Sequence, residues 1–310
     1  MSTEIPATVA AGAIPDEDAA PPPKRKIGRS AVDVIDKGPV KYVVYLLVFL
    51  WTVPTFGVFL SSFRTETDVR TSGWWTWFTD PSFTLDNYRG VLESSPGEPG
   101  LWTYFINSVA ITIPSVIISI GVGMLAAYAF SWMKFPGRDW LYLLMVALLM
   151  VPLQMALVPF LRIVVDLNIA GTIPAVWLAH TAFGLPFVVF LLRNFVQALP
   201  PSIMESARID GAGHATIFIR LVLPLSVPAI ASVGIFQFIW IWNDYLVALV
   251  FAGRENAPIT KQLADVAGTR GSAYHLLTAS AVLAIFVPLS VFLFLQKYFV
   301  RGLLAGAVKG

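Results

Sequence analysis

An all-α polytopic membrane protein is the fold class that three observations predict. Of the 310 residues, 56% are hydrophobic and 13% charged, with mean hydropathy +0.72, where soluble domains carry about 25% charge. Six apolar runs each approach the roughly 20 residues that cross a bilayer as a helix. Lys and Arg gather on one side of the layout those six runs define. The net charge of +2 singles out no partner and gives no reason to expect nucleic acid. With no Cys there is no disulfide and no thiol chemistry.

Residues 1–38 differ in kind from the rest of the chain. Pro21-Pro22-Pro23 and many Ala, Asp and Glu lead into Lys24-Arg25-Lys26 and Arg29, with no apolar segment near the start. That composition predicts a disordered cytoplasmic tail, not a cleavable signal peptide. Its basic cluster reads as the topogenic charge before a first span.

The runs lie at about Lys41–Ser62, Phe105–Met133, Trp140–Val164, Thr172–Ala198, Leu225–Ala252 and Leu276–Phe299. Only Asp166 to Gly171 separate the third from the fourth, which predicts a tight external turn. Lys24, Arg25, Lys26, Arg29, Lys37, Lys41, Lys134, Arg138, Arg208, Arg220, Lys297, Arg301 and Lys309 then fall on one side, which places both termini in the cytoplasm. Arg64, Arg70, Arg89, Arg254, Lys261 and Arg270 oppose them, so the bias is moderate. The expected divisions are the tail at 1–38, a first span and external loop at 39–99, a core at 100–300 and a cytoplasmic C-terminal tail at 301–310.

The first external loop, residues 63–104, holds Gly73-Trp74-Trp75-Thr76-Trp77-Phe78, then Asp80-Pro81 and Phe83-Thr84-Leu85-Asp86-Asn87-Tyr88. Aromatics beside Asp and Asn suit contact with a sugar. They equally suit an aromatic belt at the membrane surface.

Pro54, Pro114, Pro152, Pro159, Pro174, Pro186, Pro228 and Pro288 fall inside the runs. Each removes a backbone donor and tends to kink a helix, which lipid tolerates beside neighbouring helices or a water-filled cavity. Gly121, Gly123, Ala126 and Ala127 predict a small-residue face for close packing of the second span. His180 and Arg193 lie in the fourth run, the first expected to be a packing residue and the second to extend to the interface. The fifth run contains Trp240-Ile241-Trp242-Asn243-Asp244-Tyr245. There Asn243 and Asp244 could bond sugar hydroxyls while Trp240 or Trp242 stacks on the ring, with Tyr245 beside them; they could equally stabilise an interhelical contact.

Residues 203–224 are too polar for lipid. Met204 to Ile209 suits a helix, Gly211 and Gly213 a turn, and His214 to Val222 a second helix limited by Pro224. Ile203, Ala207, Ile217, Phe218 and Leu221 give this hairpin an apolar side that needs a partner, in the same bundle or in another subunit. The order Glu205-Ser206-Ala207, Asp210-Gly211-Ala212, then Leu221 and Leu223-Pro224 resembles the EAA loop in membrane subunits of ATP-binding-cassette importers. That pattern is Glu-Ala-Ala, three residues, Gly, nine residues, Ile, one residue, Leu-Pro. Ser206 stands for an Ala and Leu221 for the Ile.

The resemblance covers about residues 100 to 310 and is to the maltose and α-glucoside type of carbohydrate importer. The Thr84–Tyr88 segment and the C-terminus Phe299–Gly310 also look like that group. It implies the type I importer permease fold, with the hairpin docking on an ATPase and Ala307, Val308, Lys309 and Gly310 reaching between two ATPase copies. It further implies a second, homologous permease, an external sugar-binding protein and a loop at about Phe251–His275 that enters that protein's cleft. The setting is the inner or plasma membrane of a prokaryote.

The chain has no phosphate-binding Gly-rich loop with its Lys, no His-Glu-x-x-His and no Gly-x-Ser-x-Gly. No catalytic residue, metal site or cofactor is expected in it, and ATP with Mg belongs to the partner ATPase. Two other classes compete with the importer. A secondary transporter or channel would need coupling charges or a repeated half. A membrane-embedded enzyme would have only Asp244 and His180 as an acid–base pair.

Overall fold

The computed structural model describes residues 38–93, 99–269 and 273–307. All but Gly38 of the expected tail at 1–38 lies outside them, as do Val308, Lys309 and Gly310. The chain divides into two compact units, Met1–Val53 and Pro54–Gly310. The first contributes the opening part of helix α1, Pro39–Ser61, whose Tyr42, Tyr45, Phe49 and Trp51 are exposed. Such a segment, apolar all round, suits hydrocarbon.

In the second unit the loop after α1 is folded, not slack. It carries α2 (Glu66–Thr71), a 3₁₀ turn at Trp74–Phe78 and α3 (Asp86–Leu92). Arg64, 2% exposed, holds it together, donating to the Ser72 and Asp68 carbonyls and to the Ser72 and Thr76 hydroxyls. Buried Asn87 donates to the carbonyls of Ser62 and Arg64. Trp74 packs on Gly57, where a Cβ would sit 2.6 Å from its indole nitrogen. Trp75, Phe78 and Phe83 keep exposed faces.

The bundle centres on α4 (Leu101–Trp132) and α7 (Ile173–Gln197), which pack along much of their length. Gly123 permits the approach: a Cβ there would lie 2.4 Å from Val188 Cγ1. Gly123 and Ala127 are buried at this contact, but Gly121 faces open space. Positions 121 and 123 lie about 200° apart on a helix of 3.6 residues per turn, so one small-residue face cannot hold both. Ser108, Thr112, Ser115 and Ser119 run along one buried side of α4.

The third run, expected at Trp140–Val164, is broken in the middle. It forms α5 (Arg138–Ala147), a 3₁₀ turn at Leu148–Met150, and α6 (Leu153–Asp166), bent by 111°. Pro152 lacks a donor and drives the preceding residue out of the helical region; Val151 is extended. The expected turn comes next, with Asn168 and Gly171 at φ of 56° and 78°.

The fifth run is also divided. After α8 (Pro201–Ile209), α9 (His214–Leu225) meets α10 (Val227–Trp242) at a 72° bend around Ser226. Pro224 does not end the second hairpin helix as expected. A π turn over Phe218–Val222 widens the helix just before it, and the chain stays helical to Leu225. Beyond α10 come α11 (Leu246–Phe251), α12 (Ile259–Thr269) and α13 (Tyr274–Ala307).

Among the described residues, α1, α4, α7 and the Tyr274–Gln296 part of α13 are long and apolar enough to cross a membrane; the two bent pairs bring the spans to as many as six. Pro54, Pro114, Pro159, Pro186 and Pro288 sit inside helices, whereas Pro174 and Pro228 occupy first turns, where no donor is lost. Two large cores fill the bundle. One joins Met124, Ala127 and Tyr128 to Val188, Leu192 and the hairpin; the other joins Ile111 to Val176, Ile241 and Phe251.

Candidate functional site

The hairpin's geometry is set by its sequence. At the end of α8, Ala212 N–H donates to Ala207 O (2.9 Å) and Gly211 N–H to Arg208 O (3.0 Å). This is a Schellman cap, which needs a left-handed residue after the helix. Gly211 supplies it at φ +80°. Ala207 and Ala212 pack on the same core, completing the apolar contact of that cap.

The apolar side finds its partner within the chain. Met204, Ile217 and Val222 are buried, and Ala207, Phe218, Leu221 and Leu223 are half-buried against α4 and α7 residues. Tyr128 Oη lies 2.9 Å from His214 Nδ1, Trp132 Nε1 donates to Val196 O, and Arg208 donates to Trp132 O. On the other side Glu205, Ser206, Arg208, Asp210, Gly211 and Pro224 are exposed. Ile209 and Ile219 are 86% and 61% exposed. Among the described residues no side chain bonds Glu205, so it does not tie the hairpin internally.

The second constellation lies where α10 ends. Asn243 and Asp244 occupy the break before α11, not the interior of one span. Asp244 Oδ2 accepts from Val247 N–H (3.0 Å) and Ala248 N–H (3.1 Å), satisfying donors that a helix start leaves orphaned. Thr260 donates to its carbonyl. His180, 1% exposed, brings Nε2 to 3.9 Å from Asp244 Oδ2, while its Nδ1 has no hydrogen-bond partner among the described residues. The satisfied packing role expected of His180 therefore holds for its burial but not for its hydrogen bonding. Arg193 places its guanidinium 3.8 Å from the Tyr142 ring centre.

The aromatic residues of this stretch diverge. Trp242 is buried, stacks with Phe238, meets Phe105 edge-on and donates to Ala284 O. Asn243 donates to Ile239 O, and Tyr245 is exposed. Trp240 turns the other way and lines a half-open cavity of about 330 Å³ with Phe183, Gly184, Phe187, Phe236 and Gln237. Sequence reasoning passed over Gln237, although it is the one amide in the α10 sequence. The segment after α11 is docked as well: Asn107 donates to the carbonyls of Glu255 and Ala257, Asn256 to Gly171 O, and Ile259 N–H to Ser108 Oγ. Within the loop expected at Phe251–His275, residues 270–272 lie outside the described residues.

A helical bundle of broken and unbroken spans, with a polar helical hairpin between two of them, is the architecture of a polytopic membrane protein. A family model described as the inner membrane component of binding-protein-dependent transport systems matches residues 119–304, and the chain belongs to that family. The osmoprotective compounds uptake permease protein GgtD of Synechocystis sp. is 50% identical over 279 residues, 88% of this chain and 92% of that one. The alpha-glucoside transport system permease protein AglG of Rhizobium meliloti is 48% identical over 262 residues, 80% and 68% of the two chains. A bacterial ABC transporter involved in import of the acidic polysaccharide alginate shares the fold, with TM-score 0.70 and 23% identity over 87% of this chain and 98% of that one. The chain is thus a multi-pass inner-membrane transport subunit and not an enzyme.

Proposed function

We propose that this chain is one of two homologous permeases of an ATP-driven importer of sugars, with α-glucosides such as maltose, trehalose or malto-oligosaccharides as cargo. The similarity to AglG supports the α-glucoside class. Two copies of a cytoplasmic ATPase supply the energy and hold the ATP and Mg, and an extracytoplasmic binding protein delivers the sugar. Both termini face the cytoplasm, and Ala307 to Gly310 reach the ATPase pair.

One observation carries the coupling role. The hairpin's apolar side is used up by the chain's own core, while Glu205, Arg208, Ile209 and Asp210 project outward. That outward face seats in a groove on one ATPase. Because the inward face is locked to α4 and α7, closure of the ATPases moves the hairpin and the spans as one body and switches the pathway between inward-open and outward-open. ATP and the loaded binding protein favour the same state.

The test is ATP hydrolysis by the reconstituted complex with its binding protein and a panel of maltose, trehalose and sucrose, in wild type and Gly211→Pro. Proline cannot adopt φ +80°. Stimulation by an α-glucoside that is lost in the variant supports the reading. Stimulation that survives removes the coupling account, and wild-type protein that associates with no ATPase removes the importer reading.

A further inference from the structure

Arg193 sits one turn before the end of α7, which runs to Gln197. Its guanidinium lies 3.8 Å from the Tyr142 ring centre, and its buried Nε has no acceptor among the described residues. No carboxylate among those residues pairs with it either. Stacking on a ring uses the face of a guanidinium and leaves its N–H edge free to donate. A half-buried cation without an acceptor is costly, so an anion from outside the chain belongs there. Two more cations stand near the ring. Arg138 lies one turn before Tyr142 on α5; its Nε donates to Asp139 Oδ1 (3.0 Å) and its Nη1 to Met133 O (3.4 Å). Lys134 is exposed and unpaired among the described residues. Trp132 Nε1 donates to Val196 O, which holds the end of α4, just before Lys134, against the end of α7. Of these three cations only Arg138 is matched by an acid, Asp139, so the patch keeps an excess of positive charge.

We propose that Arg193, Arg138 and Lys134, gathered around Tyr142, hold the headgroup phosphate of an anionic phospholipid. Depth supports this. The 25 residues of α7 span about 38 Å, about 8 Å more than the hydrocarbon core of a bilayer. Arg193, about 6 Å from the helix end, therefore stands where hydrocarbon gives way to headgroups. The same helix that carries Tyr142 exposes Trp140, Leu141 and Leu144. A phospholipid covers such residues with its acyl chains while its phosphate meets the guanidinium edge; a soluble anion supplies only the second contact.

The experiment uses the complete importer in phosphatidylcholine vesicles with and without a quarter of phosphatidylglycerol as the probe lipid. Wild type is compared with Arg193→Gln, Lys134→Gln and Arg162→Gln, the last neutralising an exposed arginine on α6 outside the patch. Native mass spectrometry after extraction counts the phosphatidylglycerol held by each complex, and the thermal midpoint is taken in each vesicle. Phosphatidylglycerol should raise the wild-type midpoint. Arg193→Gln should lose that rise and hold about fivefold less of the lipid, Lys134→Gln about twofold less, and Arg162→Gln as much as wild type. Wild-type retention by Arg193→Gln overturns the site. So does a fall in its midpoint that is equal in both vesicles, because the anion at Arg193 would then be a carboxylate of another subunit. If inorganic phosphate added to pure phosphatidylcholine vesicles reproduces the rise, the patch takes a soluble anion and the lipid assignment fails. Should Arg193→Gln not assemble, Lys134→Gln decides, and wild-type retention by that variant overturns the proposal.

Discussion

Tyr128 Oη stands 2.9 Å from Nδ1 of His214, joining α4 to the first residue of α9. The Tyr128 ring also tilts against Phe218 at 5.4 Å, so a ring and a hydroxyl of one α4 residue hold the hairpin at two points. Removing only the hydroxyl with Tyr128→Phe keeps the ring contact. One lost hydrogen bond is worth about 1 kcal/mol, or about fivefold in a local opening equilibrium. Hydrogen exchange of the amides from Ala212 to Ile217 should therefore speed up about fivefold while α7 stays protected. Unchanged exchange would mean that packing alone fixes the hairpin.

Gly211 and Gly213 flank the same turn but differ in what they require. A Cβ meets nothing within 4 Å at either position, so only backbone conformation separates them. Gly211 has φ +80°, and Gly213, the N-cap of α9, has φ −73°. Gly211→Ala should cost about 1–2 kcal/mol. Gly213→Ser should be neutral or stabilise by a few tenths, since Ser is a strong N-cap residue. Thermal unfolding of the two variants in detergent gives the comparison; equal effects would show that the Schellman cap does not matter to stability.

The hairpin was legible because its determinants are local. Gly211 after a short helix marks the turn from sequence alone, and the structure makes it a cap through the Ala212 to Ala207 bond. The two bends were not, because Pro152 and Pro228 mark where a helix can break but not how far the next segment turns. Gln237 escaped notice because hydropathy averages one amide over a span. Arg64 and Asn87 were unreadable for another reason: Asn87 bonds carbonyls more than twenty residues away, which composition cannot reveal. Trp240 and Trp242 lie two apart on one helix and so face different surroundings, one a cavity and one the α13 backbone.

Gly123 sets the distance between α4 and α7. The Cβ of Gly123→Ala would lie 2.4 Å from Val188 Cγ1 and 3.6 Å from Leu192 Cδ1, so the helices must shift. Overpacking of this kind costs about 1–3 kcal/mol. Gly121→Ala, facing open space, should instead stabilise by about 0.5–1 kcal/mol. Adding Val188→Ala to Gly123→Ala removes the clashing methyl and should recover part of the loss. A double-mutant cycle on thermal midpoints measures the coupling; simple additivity would mean that the two residues do not meet.

Asp244 serves the backbone first. Its Oδ2 accepts from the N–H groups of Val247 and Ala248, both residues buried, and His180 Nε2 is too distant at 3.9 Å for a hydrogen bond. Asp244→Asn keeps an acceptor oxygen in place, and its stability should stay within about 1 kcal/mol of wild type. Asp244→Leu leaves two buried donors unmet, at about 1–3 kcal/mol for each. The thermal midpoints of the two variants separate the roles of shape and charge. If Asn falls as far as Leu, the carboxylate charge stabilises the break, and its neighbour His180 becomes the group to substitute next.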